Sequence, residues 1–384
     1  MKMKLSNISL LVLIRDYPVG LAVTKKIQNI LDYLKRYDIE ISVLSYRSKI
    51  PQTEIKGEKD GISYLSIGNN LRLHHLRKTV IYLVKGISYI SRNRKKHHNN
   101  VFYCIGPVNI ENLLFVTWAR VLHYKILFDI NEDYSFFEDN VKAISKFKIQ
   151  TTRKLDNITS RWGDAITVVS SHLKRKYAFK TKKPVTLIPV TAKENYKEKK
   201  ASANKKYKIV YAGTFDIKDG VDTIIGGFTI FNREFKDAEL ILMGKSEQQE
   251  TYVMKYKDVS NIKFMGYVPD EHFYEVLRNA DVLCMCRTNS GFSNAGFPFK
   301  LGEYLATGNP VIATRASDVC DYLSSGDAYL VDFENPEEVA DAMKSIINNP
   351  LEARRVGLNG FKKYEQFFSP EANGKLMVEL LQRL

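Results

Sequence analysis

The sequence predicts an α/β protein made of two Rossmann-like domains, and three observations lead to this. Short apolar runs, typical of strands buried in a parallel sheet, alternate with segments of helical periodicity. The alternation stops once, at the polar, lysine-rich segment TAKENYKEKKASANKKYK (191–208), and then restarts. The length of 384 residues suits two domains better than one. We therefore expect two doubly wound parallel sheets that bind ligands at the carboxyl ends of their strands.

The first half begins with ISLLVLI (8–14), an apolar run that is too short to cross a bilayer and fits a buried strand. Apolar residues then recur at helical spacing from Val23 to Leu34, and IEISVLSY (39–46) predicts the second strand. Further strands of this half are predicted at VFYCIG, KILFDI, AITVVS and PVTLIPV.

The second half repeats the pattern and ends on an amphipathic helix. SPEANGKLMVELLQRL (369–384) starts with a serine and places Pro370 at the first helical position. The predicted boundaries are 1–192 for the first domain, 193–207 for the linker, 208–366 for the second domain and 367–384 for the last helix. Strands of this half are predicted at KIVYAG, AELILMG, IKFMGYV, DVLCMCR, PVIAT and AYLVD.

Charge and cysteine content limit the classes of function. The net charge is +15, and the excess of lysine and arginine lies in residues 1–200. A strongly basic first half suggests an anionic partner, either nucleic acid or anionic lipid. The alternative is a basic surface that is merely solvated. No helix-turn-helix or RNA-recognition signature supports nucleic acid, so we predict no nucleic-acid partner. The four scattered cysteines indicate neither disulfides nor a zinc site, and a reducing cytoplasm fits.

The segment LHHLRKTVIYLVKGISYISRNRKKHH (73–98) combines an apolar stripe with a basic end. It fits either a core helix with a solvated end or a helix that lies on a membrane surface. Packing of the stripe in the core is the simpler interpretation, while the basic end remains available to anionic lipid.

Several common phosphate-binding motifs are missing from the sequence. Neither domain's first strand is followed by G-x-G-x-x-G, and there is no Walker A loop. No two aspartates lie two residues apart, so the D-x-D anchor for a divalent metal is missing as well. We therefore predict neither a nicotinamide enzyme nor a P-loop NTPase, and we expect no cofactor and no metal.

The richest segment is PFKLGEYLATGNPVIAT (298–314), a predicted helix that starts at a proline and leads into a strand. Lys300 lies in its first turn, where the helix macrodipole disfavours a positive charge. The preceding loop NSGFSNAG (289–296) offers backbone N–H groups to an anion, and a bound phosphate would explain the lysine. Glu303, one turn later, can accept hydrogen bonds from ribose hydroxyls. The alternative is a surface ion pair between Lys300 and Glu303.

Two other segments are expected near the same edge of the sheet. In YAGTFDIKDGVD (211–222), Gly213 lets the backbone approach a ligand and Lys218 can reach a phosphate, although any βα turn uses a glycine. In GYVPDEHFYEVLRNAD (266–281), Tyr267 and Val268 can pack against a base, with ordinary core packing as the alternative.

With these motifs in place, the whole chain resembles a family 4 glycosyltransferase of the GT-B fold. DYPVG after the first strand and the three segments above fall in that family's order and spacing. The resemblance implies two domains facing each other across a cleft, with the last helix crossing back to the first domain. It also implies retaining, metal-independent transfer of a sugar from a UDP or GDP donor to a glycan or polyprenyl-diphosphate-linked acceptor. Surface polysaccharide or glycolipid synthesis at the inner face of the plasma membrane would fit.

The match is incomplete at named positions. Glu303 matches the second glutamate of the family's pair, but the first falls on Ala295, the usual arginine on Thr214 and the usual histidine on Asn131. A catalytically inactive binding subunit of the same fold is therefore the alternative. The predicted donor-site residues are Gly20, Gly213, Thr214, Lys218, Tyr267, Val268, Asn294, Ala295, Gly296, Phe297, Lys300, Leu301 and Glu303.

Candidates for catalysis lie around the end of the strand KILFDI. They are Asp129, Asn131 and Glu132. An asparagine can hydrogen-bond a sugar hydroxyl but cannot act as a base. In a retaining mechanism the donor phosphate can take the acceptor proton, so Asp129 and Glu132 would orient the acceptor. Capping of the next helix is an equally good explanation for these two carboxylates.

Overall fold

The computed structural model describes residues 3–46, 56–67, 76–137, 143–198, 206–244, 249–259 and 261–384. It divides into two compact units. Unit 1 comprises Met1–Thr191 and Pro370–Leu384, and unit 2 comprises Ala192–Ser369.

Unit 1 contains one eight-stranded sheet with the order β3-β4-β2-β1-β5-β6-β7-β8. All pairings are parallel except that of β3 with β4. Its strands are β1 Met3–Ile14, β2 Tyr37–Ser45, β3 Lys56–Lys59, β4 Ile62–Ser66, β5 Asn99–Ile105, β6 Lys125–Ile130, β7 Ala165–Val168 and β8 Val185–Leu187. Its helices before the linker are α1 Ala22–Leu34, α2 Leu76–Asn93, α3 Leu113–Val121, α4 Ala143–Trp162 and α5 Ser171–Lys180.

The hairpin β3–β4 is the one part of this sheet that the sequence analysis did not predict. Its turn is Asp60-Gly61, and both residues have positive φ, 51° and 79°. This dipeptide favours the tight turns whose twist matches two antiparallel strands. The signal was therefore present in KGEKDGISYLS, where the hydrophobic alternation is confined to one side of the turn.

Unit 2 contains a six-stranded, wholly parallel sheet with the order β11-β10-β9-β12-β13-β14. Its strands are β9 Tyr207–Ala212, β10 Ala238–Met243, β11 Ile262–Gly266, β12 Val282–Met285, β13 Val311–Thr314 and β14 Tyr329–Val331. Its helices are α6 Val221–Phe231, α7 Gln249–Lys255, α8 Asp270–Asn279, α9 Gly291–Ala295, α10 Phe299–Leu305, α11 Val319–Tyr322, α12 Pro336–Asn348 and α13 Pro350–Phe367. Two parallel-sheet α/β units confirm the predicted fold class.

The last helix, α14 (Pro370–Arg383), belongs to unit 1. It packs on α1 so closely that a Cβ on Gly374 would lie 2.1 Å from Cδ1 of Tyr33. The Asn373 amide donates to the carbonyl oxygen of Val190 at 3.1 Å. The apolar face of the helix joins the core of unit 1 through Leu376, Met377, Leu380 and Leu381.

The linker differs from its predicted extent. Residues 199–205 lie outside the described residues, but 192–198 already belong to unit 2. The Asn195 backbone N–H donates to the Ala306 carbonyl at 3.1 Å, and its side chain donates to the Tyr274 carbonyl at 2.8 Å. A lysine-rich composition does not indicate hydrogen bonds to residues distant in the chain. The whole segment was therefore predicted to be a linker.

Helix α2 carries the amphipathic stripe noted in the sequence, and the stripe is only partly covered. Ile90 is buried, whereas Val80 and Val84 are 53% and 59% exposed. The side chain of Leu76 lies outside the described residues. In the described part of the chain, no helix is both long and apolar enough to span a bilayer.

Candidate active site

The candidate site in unit 2 is built around an ion pair between Lys300 and Asp219. Lys300 Nζ donates to Oδ1 of Asp219. It also donates to the hydroxyl of Tyr211 at 3.1 Å and lies 4.8 Å from the centre of that ring. The Asp219 side chain is 4% exposed and the Lys300 side chain is 16% exposed. The pair is thus largely buried, with the lysine as its accessible member.

Two glycines make this arrangement possible. A Cβ on Gly213 would lie 2.1 Å from Cε of Lys300, so the lysine side chain fills the space that the missing side chain leaves. Gly220 has a φ of +58°, and a Cβ there would lie 1.6 Å from the carbonyl oxygen of Cys286. Only glycine accepts both the left-handed backbone and that close approach. We predicted that Gly213 admits a ligand, but the structure shows that it admits Lys300.

The carboxylate of Asp219 is held on two sides. Its Oδ2 accepts a hydrogen bond from Thr214 Oγ1 at 2.6 Å and lies 4.0 Å from Nζ of Lys218. The Tyr211 hydroxyl in turn donates to the carbonyl oxygen of Thr214. Thr214, which stands where the resembled family has an arginine, therefore supports the aspartate. Asp219 is the residue of this site that the sequence analysis missed.

Burial and charge act against each other in this cluster. Burial lowers the pKa of Lys300, and the neighbouring Asp219 carboxylate opposes that shift. Burial alone would raise the pKa of Asp219, but Lys300 and Lys218 outweigh it and leave the pKa below its usual value. The Asp219 carboxylate is thus charged near neutral pH, and its ion pair with Lys300 favours the charged form of the lysine.

Lys218 lies beside the pair and is more exposed. Its side chain is 31% exposed, and its Nζ lies 5.4 Å above the ring of Phe292. Its carbonyl oxygen accepts a hydrogen bond from the backbone N–H of Thr288 at 3.1 Å. The turn after β9 and the segment before α10 are therefore joined through backbone and side chain at Lys218.

The small-residue segment 289–296 is not an open loop. Gly291–Ala295 form the short helix α9, and Ser290 caps it by accepting from the Ser293 N–H at 3.1 Å. The Asn294 amide is engaged as well, since its Oδ1 accepts from the Ser317 N–H at 3.1 Å. The predicted supply of free loop amides is thus smaller than the sequence analysis assumed, because serine capping uses some of them.

Helix α10 places Lys300 and Glu303 on its less buried side. Pro298 occupies the position before its first turn, and Gly308, with a φ of +70°, follows its end. The helix is fixed to the sheet by Tyr304, whose hydroxyl accepts from the Ala212 N–H at 2.8 Å. Glu303 is half-buried one turn after Lys300. This side of the helix is therefore the one that can receive a ligand.

The remaining predicted donor residues fall into two groups. Ala295, Phe297 and Leu301 are buried, and the Phe297 ring stacks on Phe368 at 5.6 Å. Only their backbone atoms can face a ligand. Tyr267 is exposed and follows β11, which is separated from β9 by β10. Three more predicted positions lie in connecting segments. Gly296 is half-buried after α9, Val268 is half-buried after β11, and Gly20 lies before α1 in unit 1.

The catalytic candidates of unit 1 contain a second ion pair. Asp129 and Lys26 of α1 are both fully buried, with Nζ 3.0 and 3.1 Å from the two carboxylate oxygens. The lysine also donates to Oδ1 of Asn131 at 3.1 Å, and Thr167 donates to Asp129 at 2.7 Å. Asp129 thus has no exposed surface for an acceptor. We correct its predicted contact with an acceptor, because its carboxylate instead accepts hydrogen bonds from Lys26, Thr167 and the Asn131 amide.

The short 3-10 helix that follows β6, Tyr134–Phe136, is capped by Asp133, a residue that the sequence analysis did not name. Asp133 accepts from the Ser135 N–H at 2.9 Å and also contacts His172 Nε2 at 3.0 Å and Lys176 Nζ at 2.7 Å. Although burial opposes it, these hydrogen bonds hold the pKa of Asp133 well below its usual value. Glu132, by contrast, is exposed. Within the described ranges, no cluster of three His, Cys, Asp or Glu side chains is arranged to bind a metal.

Comparisons with known proteins concern the family and the fold of the chain. Residues 192–363 match the family model described as glycosyl transferases group 1. The chain is 22% identical over 229 residues to an uncharacterised glycosyltransferase, YqgM, of Bacillus subtilis (strain 168). The matched stretch covers 58% of this chain and 62% of YqgM. The chain is also 23% identical over 162 residues to a phosphatidyl-myo-inositol mannosyltransferase of Mycobacterium leprae, covering 41% and 42%. The matches thus span about half the length of these relatives.

Solved structures match over nearly the whole chain. Sucrose-phosphate synthase from Thermosynechococcus elongatus superposes with a TM-score of 0.74 at 16% identity, covering 98% of both chains. HepE of Anabaena in complex with UDP gives a TM-score of 0.69 at 12% identity, covering 98% of this chain and 100% of that one. At such low identity these likenesses show the fold alone.

The fold and the matched segment together define the class of protein. The chain has the GT-B architecture of two Rossmann-like units, and unit 2 carries the group 1 glycosyltransferase sequence pattern. The resemblance to family 4 glycosyltransferases, which the sequence motifs indicate, is thereby confirmed.

Proposed function

We propose that this chain is a retaining, metal-independent glycosyltransferase that takes its sugar from a nucleoside diphosphate donor bound by unit 2. The observation that carries the proposal is the placement of Lys300 and Glu303. They lie one turn apart on the accessible side of α10, beside the turn that follows β9. Ligands of Rossmann-like sheets bind at this edge, outside the carboxyl ends of the strands.

The chemistry of these side chains suits a nucleoside diphosphate. Lys300 and Lys218 supply two positive charges for the diphosphate, and a carboxylate such as Glu303 accepts hydrogen bonds from the two ribose hydroxyls. UDP and UDP-glucose are bound by HepE of Anabaena, which shares the fold, so UDP is the first donor to test and GDP the second. In this proposal the lysines replace the divalent metal in neutralising the leaving diphosphate.

Catalysis in this proposal depends on positioning and electrostatics. The bond between the anomeric carbon and the diphosphate oxygen breaks, and the acceptor's hydroxyl oxygen bonds to that carbon on the same face. The departing phosphate oxygen takes the hydroxyl proton. Lys300 and Lys218 stabilise the charge that develops on the diphosphate. Asn131, with its amide fixed by Lys26, would hydrogen-bond the sugar, and the exposed Glu132 would orient the acceptor.

Calorimetry with UDP, GDP and ADP in EDTA tests the donor proposal. We expect one of the three to bind with the metal removed. Absence of binding to all three would overturn the transferase proposal. Binding without hydrolysis or transfer of the matching nucleotide sugar would instead support an inactive binding subunit, which the alanine at 295 and the asparagine at 131 favour.

For the acceptor we propose a glycan or a polyprenyl-diphosphate-linked sugar at the cytoplasmic face of the membrane. The basic first half and the partly exposed apolar residues Val80 and Val84 of α2 support a peripheral contact with anionic lipid. Vesicle flotation should show binding to anionic liposomes that falls as salt rises. Equal binding to neutral and anionic vesicles would contradict the electrostatic part of the proposal.

A further inference from the structure

We propose that Asp219 is a positioning residue of the donor site, which holds the Lys300 ammonium at the place where it meets the donor's diphosphate. This inference rests on the proposed function of unit 2. It assigns a role to a carboxylate that neither the sequence motifs nor the comparisons with known proteins single out.

The position of Asp219 is fixed independently of Lys300. It ends a single turn of 3-10 helix, Ile217–Asp219, and Gly220 after it adopts a left-handed backbone against the carbonyl of Cys286. Thr214 Oγ1 donates to the second carboxylate oxygen at 2.6 Å. A carboxylate anchored in this way presents its other oxygen in one direction, and Lys300 Nζ is the group that occupies that direction.

The lysine keeps capacity for a ligand. Its ammonium has three hydrogens, and in the described part of the chain two of its acceptors are Asp219 and the Tyr211 hydroxyl. The third hydrogen and the 16% exposure of the side chain leave one direction open. A flexible lysine would lose side-chain entropy on binding a phosphate, whereas this one is ordered beforehand.

Asp219 also favours the charged form of Lys300. The groups around the ammonium are Asp219, Lys218, Arg287 and the hydroxyl of Tyr211. Burial, Lys218 and Arg287 all disfavour its charge, while Asp219 is the group that favours it. Without that carboxylate the lysine would lose its proton at a lower pH, and a neutral amine attracts a diphosphate far less strongly.

The first test needs no ligand. Competitive labelling of lysine amines across pH, read by mass spectrometry, gives the pKa of Lys300 in the full-length protein. We expect a lower pKa in Asp219→Asn than in the unaltered protein. Asp216→Asn, a change of a carboxyl in the same turn, is the matched control and should leave the pKa unchanged. An equal Lys300 pKa in Asp219→Asn and in the unaltered chain would overturn the inference, whatever the protein's function.

The second test uses whichever of UDP, GDP and ADP the unaltered protein binds, together with the parent nucleoside. We expect Asp219→Asn to weaken diphosphate binding about tenfold at pH 7.5, the scale of one charge-assisted hydrogen bond, and to leave nucleoside binding unchanged. The loss should grow as the pH rises, because affinity falls once the lysine deprotonates. In a Lys300→Met background, Asp219→Asn should lose most of its effect, and only the weaker contact with Lys218 at 4.0 Å remains to be altered.

The outcomes separate the two proposals. If the unaltered protein binds no nucleotide, the proposed function fails, and the labelling result alone decides whether Asp219 controls Lys300. If the protein binds a diphosphate and Asp219→Asn binds it equally or more tightly, the positioning role is wrong and the donor site stands. Equal loss of nucleoside and diphosphate binding would mean that the change merely disturbs the fold, which also contradicts the inference.

Discussion

Each unit of this chain buries a lysine–aspartate pair near the carboxyl ends of its strands, and the two pairs differ in one decisive respect. In unit 1, Lys26 and Asp129 are fully buried, and three hydrogen bonds occupy the ammonium. In unit 2, Lys300 keeps 16% of its side chain exposed and has two acceptors in the described part of the chain. The first pair is sealed from solvent, whereas the lysine of the second pair is partly accessible.

This difference teaches that an ion pair at a sheet edge does not by itself mark a binding site. A fully buried pair whose hydrogen bonds are all made can act only within its own unit, because its charges reach no solvent. Removal of one member leaves the other charge uncompensated in the core. A pair with a free hydrogen and an accessible face can exchange some of its interactions for a ligand's. Burial and hydrogen-bond saturation therefore decide between a stabilising role and a binding role.

The largest effect is expected when the fully buried pair of Lys26 and Asp129 is broken. Lys26→Met should lower the free energy of unfolding by about 3–5 kcal/mol, because it leaves the Asp129 carboxylate buried without its cation. Urea denaturation would measure the change in the free energy of unfolding. Native-state hydrogen exchange would show whether the amides of β6 and β7 lose protection.

Two further variants make that result interpretable. Lys35→Met, at the end of the same helix, removes a surface lysine that pairs with Asp32 at 2.7 Å, and it should cost about 1 kcal/mol or less. Replacing both members, as Lys26→Met with Asp129→Leu, should recover much of the stability. The sealed-pair interpretation is wrong if Lys26→Met costs no more than Lys35→Met.

The fold was predictable because its strands carry strong local signals. KILFDI is a strand with the predicted bounds, and the other predicted strands occur within a few residues of their apolar runs. Continuous apolar stretches bounded by polar segments can be recognised without knowledge of their neighbours. The hairpin at Asp60-Gly61 was missed because its strand Lys56–Lys59 is polar and lies at the sheet edge.

The candidate site was only partly predictable, because its key contacts join distant residues. Lys300 and Glu303 stood out through their place in a helix, but the partner of the lysine lies 81 residues earlier in the chain. Likewise, Lys26 and Asp129 are 103 residues apart, and nothing in either segment indicates the other. A charge in the first turn of a helix signalled that a partner exists. Which residue it is depends on how the sheet is wound.

A smaller effect is expected from Glu303→Ala, and it should appear in binding rather than folding. Glu303 is half-buried, whereas Lys26 is fully buried, so we expect the loss of Glu303 to disturb folding less. We expect nucleotide binding to weaken by about 1.5–3 kcal/mol, the range for a hydrogen bond to a charged group. Calorimetry and thermal unfolding on the same samples would separate the two quantities. Unchanged nucleotide affinity would show that this carboxylate does not hold the ribose.

The smallest effect concerns Lys218, which shares the Asp219 carboxylate with Lys300 but at 4.0 Å and with 31% exposure. Because exposed charges are screened by salt, Lys218→Met should weaken diphosphate binding by about 0.5–1 kcal/mol at low ionic strength and by almost nothing near 0.5 M salt. The effect of Lys300→Met should persist at both salt concentrations, since its charge is largely buried. Calorimetric titrations of the two variants at both concentrations would measure this. If the affinity losses caused by the two substitutions shrank in parallel as salt rises, the charge of Lys300 would be screened like that of Lys218. The proposed difference between a buried and an exposed lysine would then be wrong.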